Sequence, residues 1–171
     1  MMVAKINPRS GQRRLFFWLA ISVGILLGGG WLTSLGIGDW YRGLNFPPFQ
    51  PPGWVFSPAW VLILSLLAVA TWKITDVNGQ ANGAWFGAAM LLYGAQVILN
   101  AGWSLLFFAL KRPDFAFGEI ILLDLILVLM VVTYFRISKS AGLMLLPYLA
   151  WLLFATTING WIVLNNPAFG H

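Results

Sequence analysis

The sequence predicts an all-α membrane protein in which five transmembrane helices form one bundle. Of its 171 residues, 60% are hydrophobic and only 9% are charged, whereas a soluble domain carries about 25% charged residues. A helix needs roughly 20 mostly apolar residues to cross a bilayer. Segments 15–38, 43–72, 77–110 and 141–170 contain no Asp, Glu, Lys or Arg, and segment 115–135 contains only two acids. Five spans leave short loops, so we expect one membrane domain over residues 1–171.

The first predicted span covers residues 14–35 and follows the basic pair Arg13 and Arg14. We interpret it as a retained helix rather than a signal peptide, because its apolar stretch is longer than the core of a usual signal peptide. Gly24 and Gly28 have the spacing that lets helix backbones approach closely in lipid. This spacing favours packing within the chain over a seam between two copies.

The other spans begin or end at residues that interrupt helices. Pro58 and Pro113 suit the first turn of a helix, and the sequence Asn78-Gly79 marks a turn between two apolar segments. Asn166-Pro167 stops the last helix. The predicted spans are therefore 14–35, 57–76, 82–110, 114–135 and 141–165.

The connection between the first two spans is unusually rigid and apolar. The sequence from Trp40 to Trp60, WYRGLNFPPFQPPGWVFSPAW, holds five prolines and three tryptophans but only one charge, Arg42. Because each proline fixes φ and lacks a backbone donor, this segment cannot be a regular helix or a central strand. It is also too apolar for an ordinary solvated loop. We therefore expect it to form the lid or a wall of a binding site.

Polar and aromatic side chains form one stripe on the third span and another on the fifth. Lipid cannot satisfy amide groups, so the amides in these stripes should face the bundle interior. They could serve as hydrogen bonds between helices, each worth about 0.6 kcal/mol, or line a ligand cavity; two stripes beside an aromatic lid favour the cavity. The stripes are Tyr93, Gln96, Asn100, Trp103 and Phe107, and Trp151, Ala155, Asn159 and Ile162.

Two acids interrupt the fourth span. Glu119 and Asp124 are five residues apart, which on a helix is roughly 140° of rotation. They therefore do not share a face and do not form a carboxylate pair of the glycosidase kind. Asp124 lies deeper in the span and needs a hydrogen-bonding partner. A role in proton transfer remains an alternative for this residue.

The basic residues predict the orientation in the membrane. The N-terminal tail and the second and fourth loops carry seven Lys and Arg, whereas the opposite side carries three. The positive-inside rule then places the N-terminus in the cytoplasm and the Pro/Trp loop outside. The chain contains no cysteine and a single histidine, His171, so we predict no metal site. We also predict no nucleic-acid partner, because the basic residues are scattered.

Three segments, in this order, resemble the TspO/translocator protein family, also known as tryptophan-rich sensory proteins or peripheral-type benzodiazepine receptors. They are WYRGL with FPPFQPPGWVFSPAW, then YGAQVILNAGWSLLFF, then LLPYLAWLLFATTINGWIVLN. The resemblance extends from about Gly28 to Asn165. Asn45-Phe46 stands where the family usually has a lysine, and no basic residue follows Trp161, where eukaryotic members have a cholesterol-recognition pattern. These departures favour a bacterial-type member in a bacterial membrane.

The resemblance implies a membrane protein, often a homodimer, that binds porphyrin or haem as a ligand and requires no cofactor. Members also bind isoquinoline- or benzodiazepine-type drugs. Some bacterial members promote light- and oxygen-dependent porphyrin breakdown, for which we predict Trp60 and Trp151 as the catalytic residues. The implied role is in porphyrin homeostasis or the stress response. Transferred residue by residue, the family's ligand pocket corresponds to Trp40, Tyr41, Phe56, Ser57, Trp60, Asn100, Trp103, Phe107, Phe115, Gly118, Leu122, Trp151, Ala155 and Asn159.

Two other functions stay open at this point. The chain could transport tetrapyrroles, lipids or sterols across the membrane, although no inverted repeat is visible and five spans do not divide into paired halves. It could also be a signalling partner for which ligand binding is the input, although its short loops offer little surface to a soluble protein.

Overall fold

The computed structural model describes residues 8–76 and 84–166, which form helices and connecting turns with no strand among them. A short 3-10 turn, Gly53–Val55, precedes the second long helix, and a π-helical turn, Leu105–Ala109, ends the third. Five of the helices are long and apolar enough to cross a membrane, so the predicted fold class is confirmed. The helices are α1 (Pro8–Gly36), α2 (Asp39–Arg42), α3 (Phe56–Asp76), α4 (Ala84–Ser104), α5 (Pro113–Ile137) and α6 (Lys139–Asn165).

The helix ends differ modestly from the predicted spans. Helix α1 begins at Pro8, ahead of the basic pair that was expected to precede it. Helix α6 begins at Lys139, directly after Ser138, whose hydroxyl accepts a hydrogen bond from the backbone N–H of Ala141. An N-terminal cap of this kind fixes a helix start. Three features of the prediction lie outside the described residues: the turn at Asn78-Gly79, Pro167 and His171.

The five long helices form a closed bundle. Helix α1 packs against α3 and α4, α3 packs against α6, and α5 packs against both α6 and α4. The order around the bundle is therefore α1, α3, α6, α5, α4. Because successive long helices alternate in direction, α1, α4 and α6 end on the side where α3 and α5 begin. We call this side the cap side, because the segment 37–55 lies there.

Two clusters of apolar side chains fill the bundle. The larger one includes Leu67, Leu127 and Leu145, each fully buried. The smaller one lies on the cap side and includes Phe107 and Phe108. Many large apolar side chains also face outward, and Leu91 is 75% exposed. An apolar exterior around an apolar core is expected of a helix bundle surrounded by lipid.

The end of α1 touches the π-helical turn at Gly36. A Cβ atom built there would lie 2.5 Å from the backbone oxygen of Phe108, so a side chain at this position would collide with backbone. The wider π turn places two consecutive aromatic residues, Phe107 and Phe108, inside the bundle. Turns of this type are frequent at functional sites.

Gly24 and Gly28 do not pack within the chain. Apart from the neighbouring backbone of α1 itself, no heavy atom of the described residues lies within 4 Å of a Cβ built at either position. The expectation that they serve packing within the chain is therefore wrong, because α1 turns a different face to its neighbours. On that face, Ser22 donates a hydrogen bond of 2.9 Å to the carbonyl oxygen of Leu64 in α3.

Candidate ligand-binding cavity

A cavity of about 470 Å³ occupies the cap side of the bundle. All five long helices and the segment 37–55 contribute to its wall. Four of its lining residues, Gly30, Ile37, Gly53 and Ser57, are exposed at the surface. Since they belong to the end of α1, the start of α3 and the turn before it, they mark the mouth of the cavity. A volume of this size suits a small-molecule ligand.

Eight aromatic side chains line the cavity, and several of them pack against other rings. Trp103 and Phe107 stack with centroids 5.0 Å apart, and Phe56 meets Trp151 edge to face at 5.6 Å. Trp60 packs against the buried ring of Tyr148 at 6.0 Å. Rings held by such contacts present a stiff, flat surface, because each pair adds about 0.5–1.5 kcal/mol beyond the burial of its area.

The segment 37–55 closes the cap side as predicted for a lid. The side chain of Asn166, just after α6, binds the backbone of Asn45 in both directions: its amide accepts from the N–H at 2.8 Å and donates to the carbonyl at 3.1 Å. Tyr41 packs against Phe46 with centroids 4.8 Å apart. Burial raises the pKa of the Tyr41 hydroxyl above its ordinary value. The lid is therefore anchored to α6 by defined contacts.

The amide side chains of both stripes are buried, as the sequence predicts. Asn159 is 1% exposed and bridges two elements. Its Oδ1 accepts a hydrogen bond from Trp103 Nε1 at 3.0 Å, and its Nδ2 donates to the carbonyl oxygen of Pro113 at 3.0 Å. Asn159 thus joins α6, α4 and the start of α5. These bonds give Asn159 the structural role that the sequence left open, although it also lines the cavity.

Asn100 and Gln96 share one partner. Asn100 Nδ2 and Gln96 Nε2 both donate to the hydroxyl of Tyr148, over 2.9 Å and 2.7 Å. Asn100 lines the cavity, whereas Gln96 and Tyr148 lie beneath it. Of the two amides in the third span, Asn100 therefore lines the cavity, and Gln96 helps to fix Tyr148 beneath it.

No charged side chain lines the cavity among the residues that the structure describes. The two acids of α5 lie elsewhere. Asp124 Oδ2 accepts a hydrogen bond of 2.8 Å from Thr156, which is the partner that the sequence required. Both carboxyl oxygens of Glu119 are enclosed without a hydrogen-bonding partner in the described chain. The cavity thus offers apolar, hydroxyl, amide and indole surface.

Ten of the predicted ligand-binding residues line this cavity, and four do not. Trp40 packs behind the wall against Phe107, with centroids 6.1 Å apart. Phe115, Gly118 and Leu122 are exposed on the outside of α5. The ten lining residues are Tyr41, Phe56, Ser57, Trp60, Asn100, Trp103, Phe107, Trp151, Ala155 and Asn159.

Helix α5 reaches the cavity through Ile120 and Leu123, which the transferred pattern did not include. These two residues continue the buried series of Ala116 and Leu127. The face formed by this series lies roughly 140° around the helix from Phe115, Gly118 and Leu122. The i, i+4, i+7, i+11 spacing of these apolar residues is visible in the sequence, but the outer face of α5 is also apolar, so this spacing does not by itself identify the inner face.

The described part of the chain contains no group of three or more His, Cys, Asp or Glu side chains able to hold a metal ion. Its potential ligand chemistry is therefore aromatic stacking together with hydrogen bonds from neutral side chains.

Comparison with known protein sequences identifies a family of membrane proteins. The sequence model of the TspO/MBR family matches residues 16–164. The tryptophan-rich protein TspO of Archaeoglobus fulgidus is 37% identical over 139 residues, which cover 81% of this chain and 87% of that protein. The protein of the same name from Chlorobaculum tepidum is 33% identical, over 87% of this chain and 96% of that protein. The translocator protein of Homo sapiens is 31% identical, over 88% of each chain.

Proposed function

This chain belongs to the TspO/MBR family of membrane proteins, and from that premise we propose that it binds a porphyrin or haem-related tetrapyrrole within the membrane. The observation that supports the proposal is the cavity of about 470 Å³ with stacked aromatic walls. A tetrapyrrole is a large flat π-system, and the rings of Trp60, Trp103 and Trp151 offer the surfaces on which it would stack. The role that follows is porphyrin homeostasis or a stress response.

The charge distribution suggests how such a ligand would lie. Because charged side chains are absent from the described wall of the cavity, ionised propionates would find no counter-charge inside. We expect the ring to enter and the carboxylates to stay at the mouth between α1 and α3. Arg42 stands on the cap side, where its guanidinium lies 3.7 Å from the exposed carboxylate of Asp39. An exposed pair of this kind contributes little, so Arg42 stays available to attract an anion.

Trp60 and Trp151 are the residues we propose for light-driven chemistry. Both line the cavity, and neither indole N–H donates a hydrogen bond within the described chain. An indole next to a photoexcited porphyrin is a readily oxidised electron donor. The reduced porphyrin would pass the electron to dioxygen, the oxidised indole would recover an electron from the porphyrin, and the superoxide formed would add to the resulting porphyrin cation radical. Porphyrin breakdown of this kind needs no acid–base pair, which agrees with the absence of Asp, Glu, Lys and Arg from the described lining.

We further propose a homodimer in a bacterial membrane, with the N-terminus in the cytoplasm and the lid outside. The open face of α1 at Gly24 and Gly28 supports the dimer, because small residues without partners in the described chain allow a second helix to approach. The excess of basic residues on the N-terminal side supports the orientation.

The experiment that tests ligand binding is tryptophan fluorescence quenching by protoporphyrin IX in detergent micelles. We expect saturable quenching in the wild type and weaker binding after Trp60→Phe or Trp151→Phe. Trp85→Phe is the matched control, because Trp85 is 52% exposed at the opposite end of the bundle. New absorbing products under light that disappear in the two cavity variants alone would add catalysis. Quenching that does not saturate, or that all three variants change equally, would exclude the tetrapyrrole proposal.

A further inference from the structure

Tyr148 lies beneath the cavity and controls one of the groups that the cavity presents. Its side chain is 1% exposed, so no cavity ligand can touch it directly. Its hydroxyl accepts hydrogen bonds from Asn100 Nδ2 and Gln96 Nε2, and its ring packs against Trp60. Contacts from α3 and α4 therefore hold Tyr148 in place.

The bond to Tyr148 fixes the direction of the Asn100 amide. A primary amide has a donor end and an acceptor end. Because Tyr148 takes the donor end, Oδ1 is the end of Asn100 that remains for the cavity. Oδ1 accepts no hydrogen bond from the described residues, and it is not among their fully enclosed unpartnered atoms. The floor of the cavity thus presents a hydrogen-bond acceptor with no charge.

We propose that Tyr148 is a positioning residue that sets the ligand specificity of the cavity. By holding Asn100 with its carbonyl towards the cavity, it selects a flat, uncharged ring system that carries an N–H or O–H donor at its edge. The same ring without the donor leaves the carbonyl unpaired and binds less tightly. This inference rests on the proposed function, because it requires that the cavity holds a ligand. In a tetrapyrrole, an edge N–H or an un-ionised carboxylic acid supplies the donor.

The test compares two flat fluorescent probes that differ in a single donor, carbazole and N-methylcarbazole. Each dissociation constant is measured in detergent micelles by quenching of protein tryptophan and corrected for partition into protein-free micelles. We expect the wild type to prefer carbazole by about tenfold, the ratio that corresponds to about 1.4 kcal/mol. The ratio of the two constants is the readout, because a general loss of packing weakens both probes alike.

Three variants separate positioning from folding. Tyr148→Phe keeps the ring but frees the Asn100 amide, so the ratio should fall to about one. Asn100→Leu should do the same. Tyr134→Phe is the matched control: Tyr134 is also fully buried, and its hydroxyl lies 3.0 Å from that of Thr71, away from the cavity. It should keep the wild-type ratio.

The outcomes distinguish this inference from the proposed function. If neither probe binds saturably to the wild type, the cavity is not a ligand site and both proposals fall. If the wild type binds both probes with equal affinity, the inference fails while ligand binding stands. It also fails if Tyr148→Phe keeps the preference for carbazole, or if Tyr134→Phe abolishes it. Should Tyr148→Phe not fold, the ratios of the wild type and of Asn100→Leu still decide.

Discussion

The close contact at Gly36 predicts that alanine should destabilise the protein at this position, although alanine at Gly30 in the same helix should stabilise it. In Gly36→Ala, the new methyl group would lie 2.5, 2.7 and 2.8 Å from three backbone atoms of Phe108. Carbon atoms in ordinary contact are about 3.5–4.0 Å apart, so α1 and the π-helical turn must separate by roughly 1 Å. No side chain can rotate to relieve the clash, because the atoms it meets are backbone. Overpacking of this kind costs about 1–3 kcal/mol.

Gly30→Ala is the matched control for this prediction. Gly30 lies on the same helix, and a Cβ there meets no heavy atom of the described residues within 4 Å beyond the neighbouring backbone of α1. Removing a glycine from a helix interior stabilises it by about 0.5–1 kcal/mol. The measurement is the free energy of unfolding of both variants in detergent, followed by helical circular dichroism. If Gly36→Ala proves as stable as Gly30→Ala, Gly36 does not pack against the backbone of Phe108.

Three further predictions concern the turn before α5, the lid and the proposed dimer. Lys111 has φ 54°, in the left-handed region, so Lys111→Gly should stabilise the turn before α5 by about 1 kcal/mol. Lys111→Ala should give no such stabilisation. Equal melting temperatures for the two variants would contradict this prediction. Asn166→Ala removes both hydrogen bonds to Asn45 and should speed proteolytic cleavage of the lid several-fold. Asn165→Ala is the control. Unchanged cleavage in Asn166→Ala would mean that contacts between aromatic rings are sufficient to hold the lid. Gly28→Leu should shift the proposed dimer to monomer in sedimentation experiments, whereas Gly87→Leu, open but on α4, should not.

The fold could be predicted because the membrane imposes severe constraints on the sequence. Spans of apolar residues must be helical where no water satisfies the backbone, and the same rule drives amides inward. This is why Gln96, Asn100 and Asn159 were placed correctly from their spacing alone. Exposing an amide side chain to lipid costs enough free energy to override the other forces that set the rotation of a helix.

Helix α5 shows where the sequence carries less information. Its apolar residues surround the helix almost uniformly, because its outer face meets lipid and its inner face meets the core. Hydrophobicity alone therefore does not distinguish Phe115 from Ile120, and the rotation is set by packing against α4 and α6. The role of Gly24 and Gly28 was misjudged for a related reason: the spacing of small residues indicates a close approach but does not say which helix approaches.

The π-helical turn could not be predicted either, and it matters most for the cavity. An α-helix through residues 105–109 would place Phe107 and Phe108 about 100° apart, with one ring turned further from the interior. The wider turn lets Phe107 line the cavity while the backbone of Phe108 meets Gly36. The turn contacts α1, which is distant in sequence, so local sequence does not reveal this contact.

The indole groups of the cavity divide into two kinds by their hydrogen bonds. Trp103 gives its N–H to Asn159, so its ring is fixed as part of the wall and has no donor to offer a ligand. Trp60 and Trp151 have no such acceptor in the described chain, and both N–H groups remain for whatever the cavity holds. A ring whose donor is already bound serves as a stacking surface, and a ring whose donor is free can also orient a ligand. The sequence presents all three as equivalent tryptophans, and only the partner of each N–H separates structural from recognition roles.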